Sequence, residues 1–590
     1  MITVWPVEKA NFRSFGWVQD PSNLRSLCNV TAIFDENSPM HQALVHSIIP
    51  ELVEERDGRD VLIEALNNRP LRISYSKLVG TAFKPRSASR CNGIVQATVK
   101  GQIRPFIGEW QADNFVRWAY AFHFIRYNYE DDTFEITEEG RELVRARGEE
   151  EELTKGETEL LTRAALSYPP AVRILRLLAD GDAHLTKFEL GKQLGFIGEG
   201  GFTSLPQSVL LRTLAITKDP SDINKMKADW EGSSDKYARM IAKWLSKLGL
   251  VQMVSKSFQV PIQSDVHTVT IGQAYQITAK GFMALNHTNG KSSYKKLSKN
   301  VCFEMLATKA GDREYLRTRR AYLLKFISES KQGITINQLI KKLTECGLVC
   351  EEGSITDDIK GLINIGLNIT YKNDLYYLED VLNDFIIPTA RLEGRSEVET
   401  IKEQMRGELT HLSHEYLGLL DLAYDSKQNR LFELKTMQVL TEECGFEGLH
   451  LGGSRKPDGI IYTEDGSGQE AKGNYGIIID TKAYSGGYSL PISQADEMER
   501  YIGENQTRDI RINPNEWWKN FGNDVTEYYY MFVAGHFKGK YHEQIERINC
   551  NKNINGAAVS IQQLLRIVND YKAGKITHED IKLKLFSNYL

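Results

Sequence analysis

The stretch Tyr475-Gly-Ile-Ile-Ile-Asp-Thr-Lys482 decides the fold of the C-terminal part of the chain. Its apolar run is typical of a buried strand, and Asp480 and Lys482, two residues apart, point to the same side of that strand. A carboxylate and an ammonium group on a buried strand are costly unless a site uses them. Because Pro457-Asp458 stands 22 residues before Asp480, we predict two neighbouring strands that carry Asp458, Asp480 and Lys482 to one site.

These residue types suit the hydrolysis of a phosphodiester. Asp458 and Asp480 offer the hard oxygen ligands that Mg²⁺ prefers, and Lys482 can hold or help deprotonate an attacking water. Glu433, on a predicted preceding helix, is a candidate supporting acid. The pattern is nevertheless short and degenerate, so a chance match is the alternative while it stands alone.

The residues around this pattern predict an α/β domain. Helical periodicity over 411–424 and 429–444 precedes strand-like runs at 459–463, 475–483, 528–534 and 557–560. A polar stretch at 388–399 with a proline and a glycine is typical of an interdomain linker.

One pattern recurs three times before residue 390: an amphipathic helix, a tight stop and two strands that form a hairpin, as at the end of a winged helix. The helices are predicted at 114–123, 233–248 and 359–367, followed by strand pairs at 124–129 and 133–137, 250–254 and 258–262, and 368–372 and 375–378. Helices at 171–178 and 186–194 would complete the second copy. The alternative is three small α+β cores that only pack against protein. We expect that role mainly for the third copy, which carries Asp357 and Asp358.

The charge distribution favours a polyanionic partner for the N-terminal half, although the net charge is −5. Residues 65–108 contain no Asp or Glu and eight Lys or Arg, and 236–264 contain no acid and five bases, in a chain with 78 acidic residues. A single run of this kind would indicate only a solvated face. Two such runs indicate DNA, which needs a local excess of positive charge.

Composition excludes several other classes of protein. No stretch approaches the ~20 apolar residues that span a bilayer, and the first residues lack the pattern of a signal peptide. The seven cysteines are odd in number and irregularly spaced, which argues against a disulfide framework. Only Cys346 and Cys350 lie close together, and nothing nearby completes a zinc site. We expect a cytoplasmic protein without a membrane partner.

Longer strings resemble the FokI family of type IIS restriction endonucleases almost residue for residue. In the C-terminal part they include His450-Leu-Gly-Gly-Ser-Arg-Lys-Pro-Asp-Gly459, Asp480-Thr-Lys-Ala-Tyr-Ser-Gly-Gly-Tyr488, Glu504-Asn-Gln-Thr-Arg508 and Ile512-Asn-Pro-Asn-Glu-Trp-Trp-Lys519. In the N-terminal part they include Phe15-Gly-Trp-Val-Gln19, Ser167-Tyr-Pro-Pro170 and Trp230-Glu-Gly-Ser-Ser-Asp-Lys-Tyr-Ala-Arg-Met240. The resemblance covers essentially the whole chain, in order.

The resemblance implies a multidomain fold of three winged-helix-like recognition subdomains and a C-terminal α/β nuclease of the PD-(D/E)xK class. The implied boundaries are 1–150, 151–298 and 299–388 for the subdomains, 389–400 for a linker and 401–590 for the nuclease. The implied catalytic residues are Asp458, Asp480 and Lys482, and the nuclease would dimerise through Asp496 and Arg500. Base contacts are implied for Gln19, Asp20, Arg86, Trp110, Glu231 and Lys236.

The family's site is GGATG, with cuts outside it that leave 5′ overhangs. Two departures put one or two of these base pairs in doubt: Asp20 replaces an asparagine, and Ala228 replaces a polar amide. The segment 464–474 is five residues longer than the family pattern, which leaves the cutting distance open. Trp110 and Glu231 could instead be structural, and Arg86 and Lys236 could contact phosphate rather than base.

The resemblance thus predicts a Mg²⁺-dependent enzyme that binds double-stranded DNA, is a monomer in solution and forms a homodimer on DNA. A DNA methyltransferase would protect the host genome. Two alternatives remain: a winged-helix regulator whose nuclease domain no longer cuts, and a strand-specific nicking endonuclease.

Overall fold

The computed structural model describes residues 2–7, 13, 15–84, 86–148, 151–181, 184–290, 296–308, 312–389, 396–464 and 474–587. The chain divides into two compact units. The first comprises Met1–Phe196, Ser233–Ser255 and Gln273–Arg395, and the second comprises Ile197–Gly232, Lys256–Gly272 and Ser396–Leu590. Two segments of the predicted second subdomain therefore cluster with the C-terminal part. The boundaries predicted for the three recognition subdomains remain a prediction.

The first unit is mainly helical, with small sheets. Its helices are Leu24–Ala32, Pro39–Ala43, Ile49–Leu52, Arg56–Asn67, Tyr75–Val79, Ile94–Thr98, Glu109–Ala121, Glu138–Arg145, Lys155–Ser167, Pro169–Ala179, Lys187–Gly191, Ser233–Lys247, Ala279–Thr288, Arg313–Glu329, Ile336–Glu345 and Glu352–Asn364. Its strands are Ile2–Pro6, Ile73–Ser74, Ile125–Asn128, Thr133–Ile136, Leu185–Thr186, Ile369–Lys372, Leu375–Leu378 and Phe385–Thr389. In the described residues of the whole chain, no helix is long and apolar enough to cross a membrane.

The helix-and-hairpin pattern is confirmed in the first and third copies. Helix Glu109–Ala121 precedes the antiparallel pair Ile125–Asn128 and Thr133–Ile136. Helix Glu352–Asn364 precedes the antiparallel pair Ile369–Lys372 and Leu375–Leu378. Asn373 and Asp374 form the turn of the latter pair with φ of 51° and 62°, a conformation that these two residue types tolerate better than most.

The predicted hairpin of the second copy was wrong in length. Helix Ser233–Lys247 ends as predicted before Gly249, whose φ is 74°. The strands that follow, however, are Val251–Ile262 and Asp265–Ile277, so the run predicted as two strands is one. Alternating half-buried and exposed residues continue through residues 253–259 without a turn-forming residue, and the chain reverses only after Ile262.

The predicted linker was also partly wrong. Pro388 lies in strand Phe385–Thr389, which pairs in parallel with Ile2–Pro6, and helix Glu397–Glu408 begins within the proposed 389–400. Composition near residue 388 could not reveal a strand whose partner lies at the other end of the sequence. Residues 390–395 lie outside the described residues.

In the second unit, the C-terminal part forms a five-stranded sheet. In sheet order, its strands are Glu447–His450, Gly459–Tyr462, Asn474–Lys482, Val525–Ala534 and Gly556–Ser560. The first three pair antiparallel and the last three pair in parallel. The α/β prediction and its four strands are confirmed, and the edge strand Glu447–His450 was missed.

The C-terminal part also contains the helices Glu397–Glu408, Gly418–Leu422, Asn429–Gln438, Ile492–Thr507, Tyr541–Lys552, Ile561–Lys572 and His578–Phe586. The helix predicted at 411–424 is shorter than expected, because a 3₁₀ turn occupies His414–Leu417. Helices Gln207–Ile216 and Pro220–Asp229 belong to the same unit. Arg212 forms an ion pair with Glu447, and the carboxylate of Asp421 accepts hydrogen bonds from the Gly200 amide and Lys402.

Candidate active site and nucleic-acid interface

Asp458, Asp480 and Lys482 lie together at one end of the antiparallel strands Gly459–Tyr462 and Asn474–Lys482. Gly459 pairs with Ile479, so the residue before one strand faces the end of the other. Asp480 is buried and Asp458 is half-buried. The backbone carbonyl of Asp458 accepts a hydrogen bond from the Leu451 amide at 2.9 Å, which anchors this residue to the edge strand.

Hydrogen bonds orient both carboxylates. Lys482 Nζ donates to Asp480 Oδ1 at 2.8 Å. The backbone amide and the hydroxyl of Thr481 both donate to Asp458 Oδ2, at 2.7 and 2.9 Å. One oxygen of each carboxylate is therefore held by a neighbouring donor.

The two carboxylates of the site, Asp458 and Asp480, repel each other. Burial, reinforced by the nearby Asp458, raises the pKa of Asp480 well above its usual value, and Lys482 only partly opposes this. Burial acts to lower the pKa of Lys482, but Asp480 and Asp458 outweigh it, so that its pKa is raised. Two acids and one ammonium leave a local excess of negative charge, which a cation would neutralise.

The residues fit a divalent metal ion, which type II restriction enzymes generally use. Asp458 and Asp480 supply carboxylate oxygens from two adjacent backbones, the donor type that hard cations prefer. Across the described ranges, no group of three or more His, Cys, Asp or Glu side chains is close enough together to hold a metal. The two aspartates are thus the carboxylates to test as ligands.

Glu433 is directed to other partners. It is buried on helix Asn429–Gln438, and its Oε2 lies 3.0 Å from Arg430 Nη1 and 3.2 Å from His450 Nε2. The Arg430 guanidinium also lies 4.8 Å from the ring centroid of Trp230. Sequence reasoning missed Arg430 and His450, although His450 begins one of the quoted strings. The catalytic role of Glu433 stays a prediction.

Several predicted base-reading residues lie close together in the first unit. The side chain of Asn114 accepts a hydrogen bond from the backbone amide of Gln19 at 3.1 Å and donates one to the backbone carbonyl of Trp110 at 2.9 Å. It thereby links the two segments. Trp110 is 56% exposed. A cavity of about 620 Å³ next to them is lined by Asp20 and by Lys100 and Arg104 of the acid-free stretch.

Asp20 is placed beside positive charge. Burial raises its pKa, and Arg239 and Lys243 oppose that rise. Lys236 lies on the same helix, Ser233–Lys247, three residues before Arg239, so these cations share one helix face. Arg86 is exposed and donates to the Thr81 carbonyl at 3.2 Å. Glu231 is half-buried and belongs to the second unit.

The predicted dimer residues lie on helix Ile492–Thr507, here called the Asp496 helix. Asp496 and Arg500 are exposed and one helical turn apart. Within the chain, Asp496 accepts from Arg547 at 2.6 Å, and Arg500 donates to Glu497 at 3.0 Å. Both side chains are therefore on the surface and form ion pairs within the chain.

Comparison with known proteins assigns this arrangement to a family. Residues 13–146, 157–293, 306–374 and 395–589 match the families described as FokI recognition domain subdomain 1, recognition domain subdomain 2, D3 domain and cleavage domain. The chain is 44% identical to the type II restriction enzyme FokI of Planomicrobium okeanokoites over 585 residues, which are 98% of this chain and 99% of that protein. The chain belongs to the FokI family of type II restriction enzymes.

A second relative and a solved structure support the assignment. Identity to the type II restriction enzyme StsI of Streptococcus sanguinis is 35%, over 97% of this chain and 95% of that protein. The solved structure of FokI bound to DNA matches with a TM-score of 0.90 at 44% identity, covering 98% of this chain and 99% of that one. The predictions of a site-specific deoxyribonuclease, of DNA binding and of recognition subdomains before a cleavage domain are confirmed.

Proposed function

We propose that the enzyme binds a short asymmetric DNA site, GGATG or a close variant, and makes a Mg²⁺-dependent staggered cut outside it. The cut would leave 5′ overhangs with 5′-phosphate ends. The observation that carries the proposed chemistry is the opposed pair Asp458 and Asp480, with the Lys482 ammonium 2.8 Å from Asp480. Two carboxylates and one ammonium group at the same end of two paired strands support this proposal.

The chain's own residues would divide the work as follows. Asp458 and Asp480 would hold Mg²⁺, which supplies Lewis-acid activation of the phosphodiester. Lys482, whose raised pKa keeps it protonated at neutral pH, would donate a hydrogen bond and positive charge to the reacting phosphate. The proposed role is therefore electrostatic stabilisation rather than proton abstraction.

The recognition half would read bases through groups whose donors and acceptors suit the major groove. Arg86 and Lys236 suit guanine acceptors, Gln19 suits adenine, and Glu231 can accept from the amino group of cytosine. Trp110 would add an exposed apolar contact. Asp20 offers only acceptors, so we propose that its base pair is the one where this enzyme's site departs from GGATG if the two differ.

Double-strand cutting would need two nuclease domains, because one chain carries one proposed site and a duplex has two scissile strands. We propose a monomer in solution whose Asp496 helix meets that of a second copy on DNA in a two-fold arrangement, pairing Asp496 with Arg500. A DNA methyltransferase in the bacterial cytoplasm would protect host DNA.

The test compares Asp458→Ala and Asp480→Ala with a matched control, Asp524→Ala, which removes an exposed carboxylate of the same domain. We expect both site variants to bind specific DNA as tightly as the wild type while their cleavage falls roughly a thousandfold. Supercoiled plasmid is the substrate, because a nicking enzyme would accumulate relaxed circles. Cleavage by Asp458→Ala at the rate of Asp524→Ala would refute the proposed site.

A further inference from the structure

Thr481, between the two proposed catalytic residues of the strand, donates twice to the same oxygen of Asp458. Its backbone amide lies 2.7 Å and its hydroxyl 2.9 Å from Asp458 Oδ2. Strand Gly459–Tyr462 begins one residue after Asp458, so the Asp458 side chain takes the place of a strand carbonyl at this end of the strand pair. Thr481 itself is only 7% exposed.

This double contact fixes the torsion angles of the Asp458 side chain. A carboxylate without it could rotate away from the neighbouring acid, which the mutual repulsion of two carboxylates favours. With Oδ2 held by the backbone and hydroxyl of Thr481, Asp458 remains beside Asp480. Any residue except proline at position 481 would supply the backbone amide, whereas only threonine or serine would supply the hydroxyl. A substitution can therefore remove the hydroxyl contact alone.

We propose that Thr481 is a positioning residue for the metal site: its hydroxyl holds Asp458 in the orientation in which it and Asp480 bind one divalent cation. The inference rests on the proposed function, in which these two aspartates are the ligands. Thr481 would act through Asp458, the residue whose carboxylate it holds.

Two substitutions separate the hydroxyl from the rest of the side chain. Thr481→Val keeps the β-branched shape and the backbone donor but removes the hydroxyl, whereas Thr481→Ser keeps the hydroxyl and removes a methyl group. Thr463→Val is the matched control, because Thr463 lies in the same hairpin and its hydroxyl hydrogen-bonds with Asn474 rather than with either aspartate.

The experiment measures binding of Mn²⁺, as an EPR-visible probe, to the full-length protein without DNA. Its second readout is the Mg²⁺ concentration that gives half-maximal cleavage. For Thr481→Val we expect the Mn²⁺ dissociation constant and the Mg²⁺ concentration for half-maximal cleavage each to rise about tenfold, which is the effect of losing one hydrogen bond to a charged group. Cleavage at saturating Mg²⁺ should remain nearly normal. Thr481→Ser should stay within about twofold of the wild type, and Thr463→Val should leave metal binding unchanged.

The outcomes also separate this inference from the proposed function. If Asp458→Ala weakens Mn²⁺ binding but Thr481→Val does not, the metal site stands and the role of Thr481 is refuted. If Asp458→Ala binds Mn²⁺ like the wild type, the proposed metal site itself fails. Should circular dichroism show that Thr481→Val is unfolded, Thr481→Ala replaces it with the same expected values.

Discussion

At the scale of single residues, the proposed catalytic site buries charged groups at an unfavourable free energy. Asp480 is buried beside a second acid, and its raised pKa expresses the free energy that a bound cation would recover. Lys482 and Thr481 each hold one carboxylate oxygen, so the site is oriented before a metal binds. Such preorganisation spares the reaction the cost of arranging these groups.

A buried lysine in the recognition half gives a pH prediction. Lys299 donates to the Leu166 carbonyl at 2.9 Å, and burial lowers its pKa from 10.5 to about 7, with Asp380 opposing the shift. Because the unfolded chain binds this proton more tightly, the free energy of unfolding rises as the pH increases from about 7 to 10.5 and falls again as the pH is lowered from 10.5 to about 7.

We therefore expect Lys299→Met to gain stability relative to the wild type as the pH is lowered from about 10 to about 7. The change should approach about 1.4 kcal/mol per pH unit. The measurement is urea unfolding of both proteins at several pH values, with the exposed Lys331→Met as control. A difference between Lys299→Met and wild type that does not change with pH would show that Lys299 has an ordinary pKa.

At the scale of helices and strands, sequence patterns predicted the elements better than their extents. The apolar run before Asp480 correctly predicted strand Asn474–Lys482, because burial on both faces leaves a plain signature. The same reasoning divided Val251–Ile262 into two strands, since half-exposed alternation carries no marker of where a strand ends. Strand Glu447–His450 was missed because it is short and its ladder with Gly459–Tyr462 is a long-range property.

The sequence was enough to predict which residues form the candidate site, but not the contacts that orient their side chains. Asp458, Asp480 and Lys482 follow from their spacing and from the pairing of two strands. The contacts of Thr481 with Asp458 and of Glu433 with Arg430 and His450 depend on side-chain geometry, which spacing does not specify.

The Asp496 helix carries a prediction about charge. Because Asp496 and Arg500 are exposed and opposite in sign, we expect Asp496→Arg and Arg500→Asp each to lose double-strand cleavage through repulsion in the proposed two-fold contact. An equimolar mixture should regain it, since the two variants complement each other. The assay is linearisation of single-site plasmid, with Lys584→Glu, a charge reversal on another exposed position, as control. Full cleavage by either variant alone would exclude this helix as the contact.

At the scale of the whole molecule, the second unit combines the cleavage domain with residues 197–232 and 256–272 of the recognition region. Two contacts join these segments to the cleavage domain: the ion pair of Arg212 with Glu447 and the stacking of the Arg430 guanidinium on the Trp230 ring. Trp230 immediately precedes Glu231, the residue proposed to read a base, so a predicted recognition residue is next in sequence to one that contacts the cleavage domain.

A two-chain reaction predicts how the rate depends on concentration. On DNA with one site, we expect the rate of double-strand cleavage to rise more steeply than in proportion to enzyme at low concentration, because a second chain must join the first. Adding isolated site-containing DNA duplexes, which deliver further bound copies, should raise the rate in that range. A strictly linear dependence throughout would mean that one chain cuts both strands.

The most direct test of the account is to incubate the purified enzyme and its Asp458→Ala variant with Mg²⁺ and a genome-sized DNA, and to sequence every end produced. The account predicts paired 5′-overhanging ends at one fixed distance from GGATG, or from a variant changed at the base pair of Asp20, and no ends with Asp458→Ala. Ends without a fixed distance from any sequence, or equal numbers of ends from both proteins, would contradict it.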